Sequence, residues 1–185
     1  AWVTATRALT GRRPLVVGPG VKTGVKMRYN DPGELGADRV ADLVAARTAY
    51  TAPFIVVDLG TTTNFEVVDE GGSFVGGIIA PGVKLSAKAL SDAAAQLAMV
   101  DLKAPASVVG KNTREAMQAG VVMGEVARID GLLDLVLAEL GCEAPVVVTG
   151  ADADAMAALL RHGARADQTL TLRGLRRLHE LNRRR

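Results

Sequence analysis

The 185-residue sequence predicts an α/β chain with a mixed sheet and flanking helices. Three observations carry that expectation. Apolar runs of strand length, "FIVV", "NFEVV" and "VVV", alternate with longer segments whose apolar residues recur at helical spacing. Residues 55–58, 64–68 and 73–79 follow one another across short turns, as in an antiparallel meander, whereas Val146-Val147-Val148 returns only after a long helical stretch. Aromatic residues make up only 3% of the chain against 49% hydrophobic overall, so the core is built from Ala, Val and Leu, which suits helices packed on a sheet. That much apolar material at this length fills one ordinary core or two small lobes.

Each element has a local cause. Leu15-Val16-Val17 reads as a short strand closed by the turn formers Gly18-Pro19-Gly20. Residues 37–49 read as a helix, with Val40, Leu43 and Val44 on one face and Asp38 near the start. The strands at 64–68 and 73–79 are joined by the turn "DEGG". Pro81-Gly82 breaks the chain before a helix over about residues 85–97. Residues 113–126 and 128–140 are helical as well, the second carrying Ile129, Leu132, Leu133, Val136 and Leu140 on one stripe. Pro145 opens a strand that runs into Thr149-Gly150, a helix follows over 152–160, and residues 172–181 form the last one. The sequence contains no internal repeat and no low-complexity linker.

Composition excludes several functions. Six of the 22 basic residues but only one of the 20 acidic ones lie from Arg173 onward, so the main body is slightly acidic and only the tail is basic. The tail's leucines at 172, 175, 178 and 181 predict a docked amphipathic helix, and with so few aromatic residues no nucleic-acid partner is expected. The single cysteine, Cys142, rules out an internal disulfide and reads as a half-buried residue near a helix end. His162 and His179 have no nearby ligand partners in the sequence, so neither is expected to bind a metal. No apolar run approaches the roughly 20 residues that span a bilayer, and "AWVTATRALTGRRP" lacks the apolar segment of a signal peptide. A cytoplasmic setting without membrane contact is the expectation.

The stretch "FIVVDLGTTTNFEVVDEGG" raises the functional question. Asp58 ends a buried strand, and Gly60-Thr61-Thr62 brings hydroxyls and backbone N–H groups to the same turn. Such a turn suits phosphate oxygens, but the carboxylate would repel them unless a cation lies between or Asp58 transfers a proton. A hairpin capped by Asp58 and the threonines is the plainer alternative. "GADR", residues 36–39, sets Asp38 and Arg39 at a helix entrance, where Arg39 can clamp a carboxylate and Asp38 is either an N-cap or a general base. In "VVGKNTREA", Thr113 reads as a helix N-cap, and "GGIIAPG", residues 76–82, as a strand end and turn.

In order, "GPGVKTG", "YNDPGELGADR", "VVDLGTTTNFEVVDEGGSFVGGIIAPG", "VVGKNT" and "TLRGLRRLHELN" resemble type III pantothenate kinase over nearly the whole chain from Val16. The resemblance implies an actin-like ATPase built on ribonuclease-H-like lobes. Residues 1–50 would be a remnant of the N-terminal lobe and 51–185 the C-terminal ribonuclease-H-like lobe. The activity implied is phosphorylation of the pantothenate 4′-hydroxyl with ATP, the first step of coenzyme A biosynthesis, by a homodimer. Asp38 matches the general base. Tyr29, Gly36, Ala37, Asp38, Arg39 and Thr113 match substrate-binding positions, with the pocket completed across the dimer interface. Thr61 matches an ATP contact and Asp58 the ligand of a monovalent cation (potassium or ammonium), with Mg²⁺ accompanying ATP. The family's N-terminal Asp-x-Gly-Asn-Thr phosphate loop has no match here, which implies an N-terminally truncated chain with an incomplete first lobe. Asn64 replaces the family's usual Thr, and Ala151 stands where a second glycine near the adenosine is favoured. The alternative is a non-catalytic relative that binds and regulates.

Overall fold

A computed structural model describes residues 1–93 and 100–183. In chain order the elements are α1 (Trp2–Thr10), β1 (Lys26–Met27), α2 (Ala37–Ala49), β2 (Phe54–Leu59), β3 (Thr62–Val68), β4 (Ser73–Pro81), α3 (Val83–Ala93), α4 (Thr113–Gln118), α5 (Gly124–Leu140), β5 (Val146–Gly150), α6 (Ala153–Ala157), β6 (Arg165–Ala166) and α7 (Leu170–Asn182). The strands form one sheet in the order β1-β4-β3-β2-β5-β6. β2, β3 and β4 make the expected antiparallel meander, and β5 returns parallel to β2 with Asp58 opposite Thr149. The fold is therefore the mixed sheet with flanking helices that the sequence predicts.

Alternation along the central strand sorts the side chains into two cores. Ile55, Val57 and Leu59 of β2 pack with Ile129, Leu133 and Val136 of α5 and with Met156 of α6. Phe54 and Val56 point the other way and pack with Leu43 of α2, Phe74 of β4 and Leu170 of α7. Covered on both faces, β2 is buried at every position except Asp58, which is half-buried.

Several boundaries differ from expectation. Leu15-Val16-Val17 forms no strand; Val17 packs against the cluster of Ala41, Val44 and Leu178, while Leu15 and Val16 are exposed. The two helices expected over 113–126 and 128–140 are one continuous run, with a wider π-turn at Ala119–Met123 between α4 and α5. The N-cap of α4 is Asn112, whose side chain accepts from the Glu115 amide; Thr113 is already helical. α3 occupies Val83–Ala93, and the expected continuation to residue 97 lies outside the described residues. α6 is shorter than expected, and Asp152 precedes it at φ 59°.

The docked face of α7 is Leu170, Gly174 and Leu178, while Leu172 and Leu175 are 68% and 40% exposed. A helix turns about 100° per residue, so leucines spaced three apart drift around the axis and cannot share one face over four positions. Gly174 sets the approach of α7 to α2: a Cβ there would overlap the Ala41 backbone carbonyl. Gly174→Ala is expected to force the two helices apart and lower the unfolding free energy by about 1–3 kcal/mol, read by urea denaturation.

Candidate functional site

The meander register lays a polar row across the α2 face of the sheet. Asn64 of β3, Asp58 of β2 and Thr149 of β5 are direct cross-strand partners at the carboxyl ends of β2 and β5. Ligands of open α/β sheets collect at such strand ends. β5 reaches this corner only because Gly150, at φ 88°, lacks a side chain; a Cβ there would lie 2.7 Å from Asp58 Oδ1 and overlap the Leu59 carbonyl. The Ala151 amide then bonds to Leu59 O at 2.9 Å, which ties the β5 end to the β2 end.

The first turn of α2 stands over that row. Gly36 is its N-cap, and Gly36, Ala37 and Asp38 are exposed. Asp38 thus lies two positions past the N-cap, too far into the helix to cap it, and its Oδ1 accepts from the Arg39 amide at 2.9 Å. Asp38 and Asp58 form an electrostatic pair. Asp58 is pushed above the usual carboxylate range first by burial and then by the Asp38 charge, while Arg39 and the Asn64 side chain pull it back.

Arg39 enters the site from beneath, with 6% of its surface exposed. Its Nε donates to Glu66 Oε1 at 2.7 Å and its Nη2 to the Phe65 carbonyl at 3.1 Å. The sequence expectation was a free clamp for a carboxylate, and the structure shows part of the guanidinium already engaged. Phe74 connects Arg39, whose guanidinium carbon lies 6.0 Å from the ring centroid, to Tyr29, whose ring lies 5.5 Å from it. Thr61 is exposed on the β2–β3 turn, where its carbonyl accepts from the Gly82 amide at 3.0 Å. Thr113 is also exposed, on α4, and no hydrogen bond joins it to Asp38, Arg39 or Asp58.

Past the turn, on the opposite face of the sheet, lies a cavity of about 290 Å³. Leu59, Val122, Met156 and Leu159 line it with apolar surface, Gly60 and Ala151 border it, and Lys84, Lys103, Glu125 and Asp152 supply charge. The Ala151 methyl, absent from a glycine, is part of that wall. Glu125 accepts from Thr63 Oγ1 at 2.5 Å and pairs with Arg128, which also donates to the Pro81 carbonyl. This network anchors α5 to the meander. The π-turn just before it widens the helix where Val122 meets the cavity.

Two buried carboxylates escaped the sequence reading. Glu66 and Asp42 have no exposed surface, Glu66 Oε2 and both oxygens of Asp42 lack a hydrogen-bond partner, and burial pushes both groups up, to about 8 and about 7. A signal existed for each: Glu66 interrupts the apolar strand "NFEVV", and Asp42 sits one helical turn after Asp38 beside the buried Leu43 and Val44. Among the described residues no group of three or more His, Cys, Asp or Glu side chains is placed to hold a metal ion. His162, expected to lack partners, has Asp134 Oδ1 3.0 Å from its Nε2. Cys142 is half-buried just after α5, as expected.

The antiparallel meander β4-β3-β2 with β5 and β6 added parallel beside its first strand places this chain in the ribonuclease-H-like fold class. The crystal structure of a conserved Baf family protein from Campylobacter jejuni, titled a transcriptional activator, shares that fold with a TM-score of 0.55 at 23% identity, covering 85% of this chain and 68% of that one. The chain belongs to the type III pantothenate kinase family, whose model matches residues 1–135. It is 45% identical over 172 residues to the type III pantothenate kinase of Anaeromyxobacter sp. (strain K), covering 93% of this chain and 68% of that protein. The type III pantothenate kinase of Moorella thermoacetica is 42% identical over 186 residues, covering 97% of this chain and 73% of that one.

Proposed function

We propose that this chain transfers the γ-phosphoryl group of ATP to the 4′-hydroxyl of pantothenate, the opening step of coenzyme A biosynthesis. The observation that carries the reading is the Asp38–Asp58 pair on the α2 face, separated from the cavity on the other face only by the β2–β3 turn, in a chain whose relatives are named for this activity. ATP would place its nucleoside in the apolar cavity and its phosphates against Gly60 and Thr61, near Lys84. Pantothenate would lie over the first turn of α2, against Gly36, Ala37, Asp38 and Arg39, with Tyr29 behind it and Thr113 supplied across a homodimer interface. Residues 1–50 then carry most of the acceptor site and 51–185 the nucleotide side of it.

Asp38 is exposed and faces the acceptor, so it is the group to take the hydroxyl proton. Asp58 is half-buried, with carboxylates around it and one partly engaged guanidinium, a setting that fits a cation. A single carboxylate with neighbouring backbone and amide oxygens suits a monovalent ion better than a tightly held divalent one. Potassium or ammonium held there would offset the repulsion between Asp58 and phosphate oxygens, and Mg²⁺ would accompany ATP. Among the described residues no helix is long and apolar enough to cross a membrane, and a cytoplasmic enzyme fits the substrates.

The test is ADP release that depends on pantothenate, with the phosphorylated product identified by ³¹P NMR. Binding of pantothenate without turnover would instead favour a regulatory relative. In the active chain, withdrawal of potassium should suppress turnover. Asp58→Asn should raise the potassium concentration for half-maximal rate by about 10–100-fold, the usual range for a weakened metal site.

A further inference from the structure

Glu66 sits where a strand facing a core ordinarily carries an apolar side chain. Its neighbours Phe65 and Val67 are buried towards α5, and Glu66 itself points to α2 with none of its surface exposed. One carboxylate oxygen holds Arg39 Nε at 2.7 Å, and the other has no partner. A buried ion pair left half-satisfied is weak evidence for stability, because desolvation offsets much of the attraction. The specific geometry it imposes is the better reason for its presence.

That geometry is over-determined. Arg39 Nη2 reaches the Phe65 carbonyl at 3.1 Å, and Phe74 lies beneath the guanidinium. Gly77 is the cross-strand partner of Glu66 on β4, and a Cβ there would overlap both the Phe65 carbonyl and the Arg39 guanidinium. The glycine in "GGIIAPG" therefore does more than end a strand. Arg39 belongs to the first turn of α2, directly after Asp38. We propose that Glu66 is a positioning residue for the phosphoryl acceptor: through Arg39 it fixes the first turn of α2 on the sheet and so holds Asp38 opposite Asp58. This rests on the kinase reading above.

The test uses Glu66→Asp, which keeps the charge but withdraws it by one methylene, and Gly77→Ala, which crowds the same guanidinium from β4. Both are assayed well below their unfolding midpoints. Each is expected to lower kcat/KM for pantothenate by about 10- to 100-fold, the scale of a 1 Å misplacement, while the KM for ATP stays within about twofold. The Val40 amide, bonded to Gly36 O at 3.0 Å in the same turn, should exchange with solvent about tenfold faster in both variants. Wild-type kcat/KM for pantothenate in the folded variants would overturn the proposal, as would equal losses towards ATP and pantothenate. If the wild-type chain shows no pantothenate-dependent turnover, the kinase reading fails by itself. Amide exchange then decides the positioning role, and unchanged exchange at Val40 overturns it.

Discussion

Asp38→Asn is expected to lower kcat for pantothenate phosphorylation by about 10²–10⁴-fold, the usual contribution of a positioned general base. The substitution keeps the size of the side chain and an oxygen able to accept from the Arg39 amide, as Asp38 Oδ1 does at 2.9 Å. The start of α2 should therefore survive, and only the basicity is removed. Because Asp38 raises Asp58 through its charge, the variant should also bring Asp58 down towards its ordinary range. A KM for pantothenate within a few-fold of wild type, together with the collapse in kcat, would separate proton transfer from binding. Steady-state kinetics at saturating ATP decides it, and a kcat within tenfold of wild type would remove Asp38 from the role of base.

Asp42→Asn should stabilise the chain above neutral pH. Asp42 has no exposed surface and neither oxygen makes a hydrogen bond. Burial first, and then the charges of Asp58, Asp38 and Asp167, push it up to about 7; Thr171 lies near enough to oppose the shift but not in hydrogen-bonding geometry. Between about pH 4 and pH 7 the folded chain keeps a proton on Asp42 that the unfolded chain has released. Folding stability therefore falls as pH rises through that window and is lowest above it. Carrying the buried carboxylate ionised costs at most roughly 4 kcal/mol. The amide carries no charge to desolvate, so the variant should gain up to that amount at pH 8 and little at pH 5. Urea denaturation at the two pH values reads the difference. Parallel profiles for the two proteins would show that Asp42 is not the group responsible.

The elements that were legible in the sequence are those whose cause is local. The helix over Ala37–Ala49 was read to its ends because its apolar face, its glycine entrance and the following turn lie within one short window. The meander was legible because its strands alternate across short turns. Leu15-Val16-Val17 misled because a short apolar run has no period: Leu15 and Val16 are exposed, and only Val17 finds cover, from helices α2 and α7. The leucines of the last helix misled for a related reason: which of its faces docks depends on Gly174 meeting Ala41.

The candidate site divides in the same way. Asp38, Arg39 and Asp58 stand out because their motifs hold charge, hydroxyl and glycine close together in sequence, whereas site roles for Tyr29, Thr61 and Thr113 come only from the resemblance to the family. Glu66 and Gly77 meet Arg39 through contacts that cross from strand to strand and from sheet to helix, and no short window shows those contacts; the burial of Asp42 likewise depends on what packs over α2.

The sequence by itself determined the mixed α/β class, the antiparallel meander with one later returning strand, and the gathering of acid, hydroxyl and glycine at the β2–β3 turn and the α2 entrance, but not the two-residue edge strands β1 and β6. Periodicity, turn residues and motif spacing are properties of neighbours on the chain. Tertiary structure alone decided which acid is exposed and which is buried, that Arg39 is held by Glu66, and that Asp38 and Asp58 feel each other's charge. Desolvation and Coulomb interaction depend on distance in space, and the packing of α2 on the sheet sets that distance.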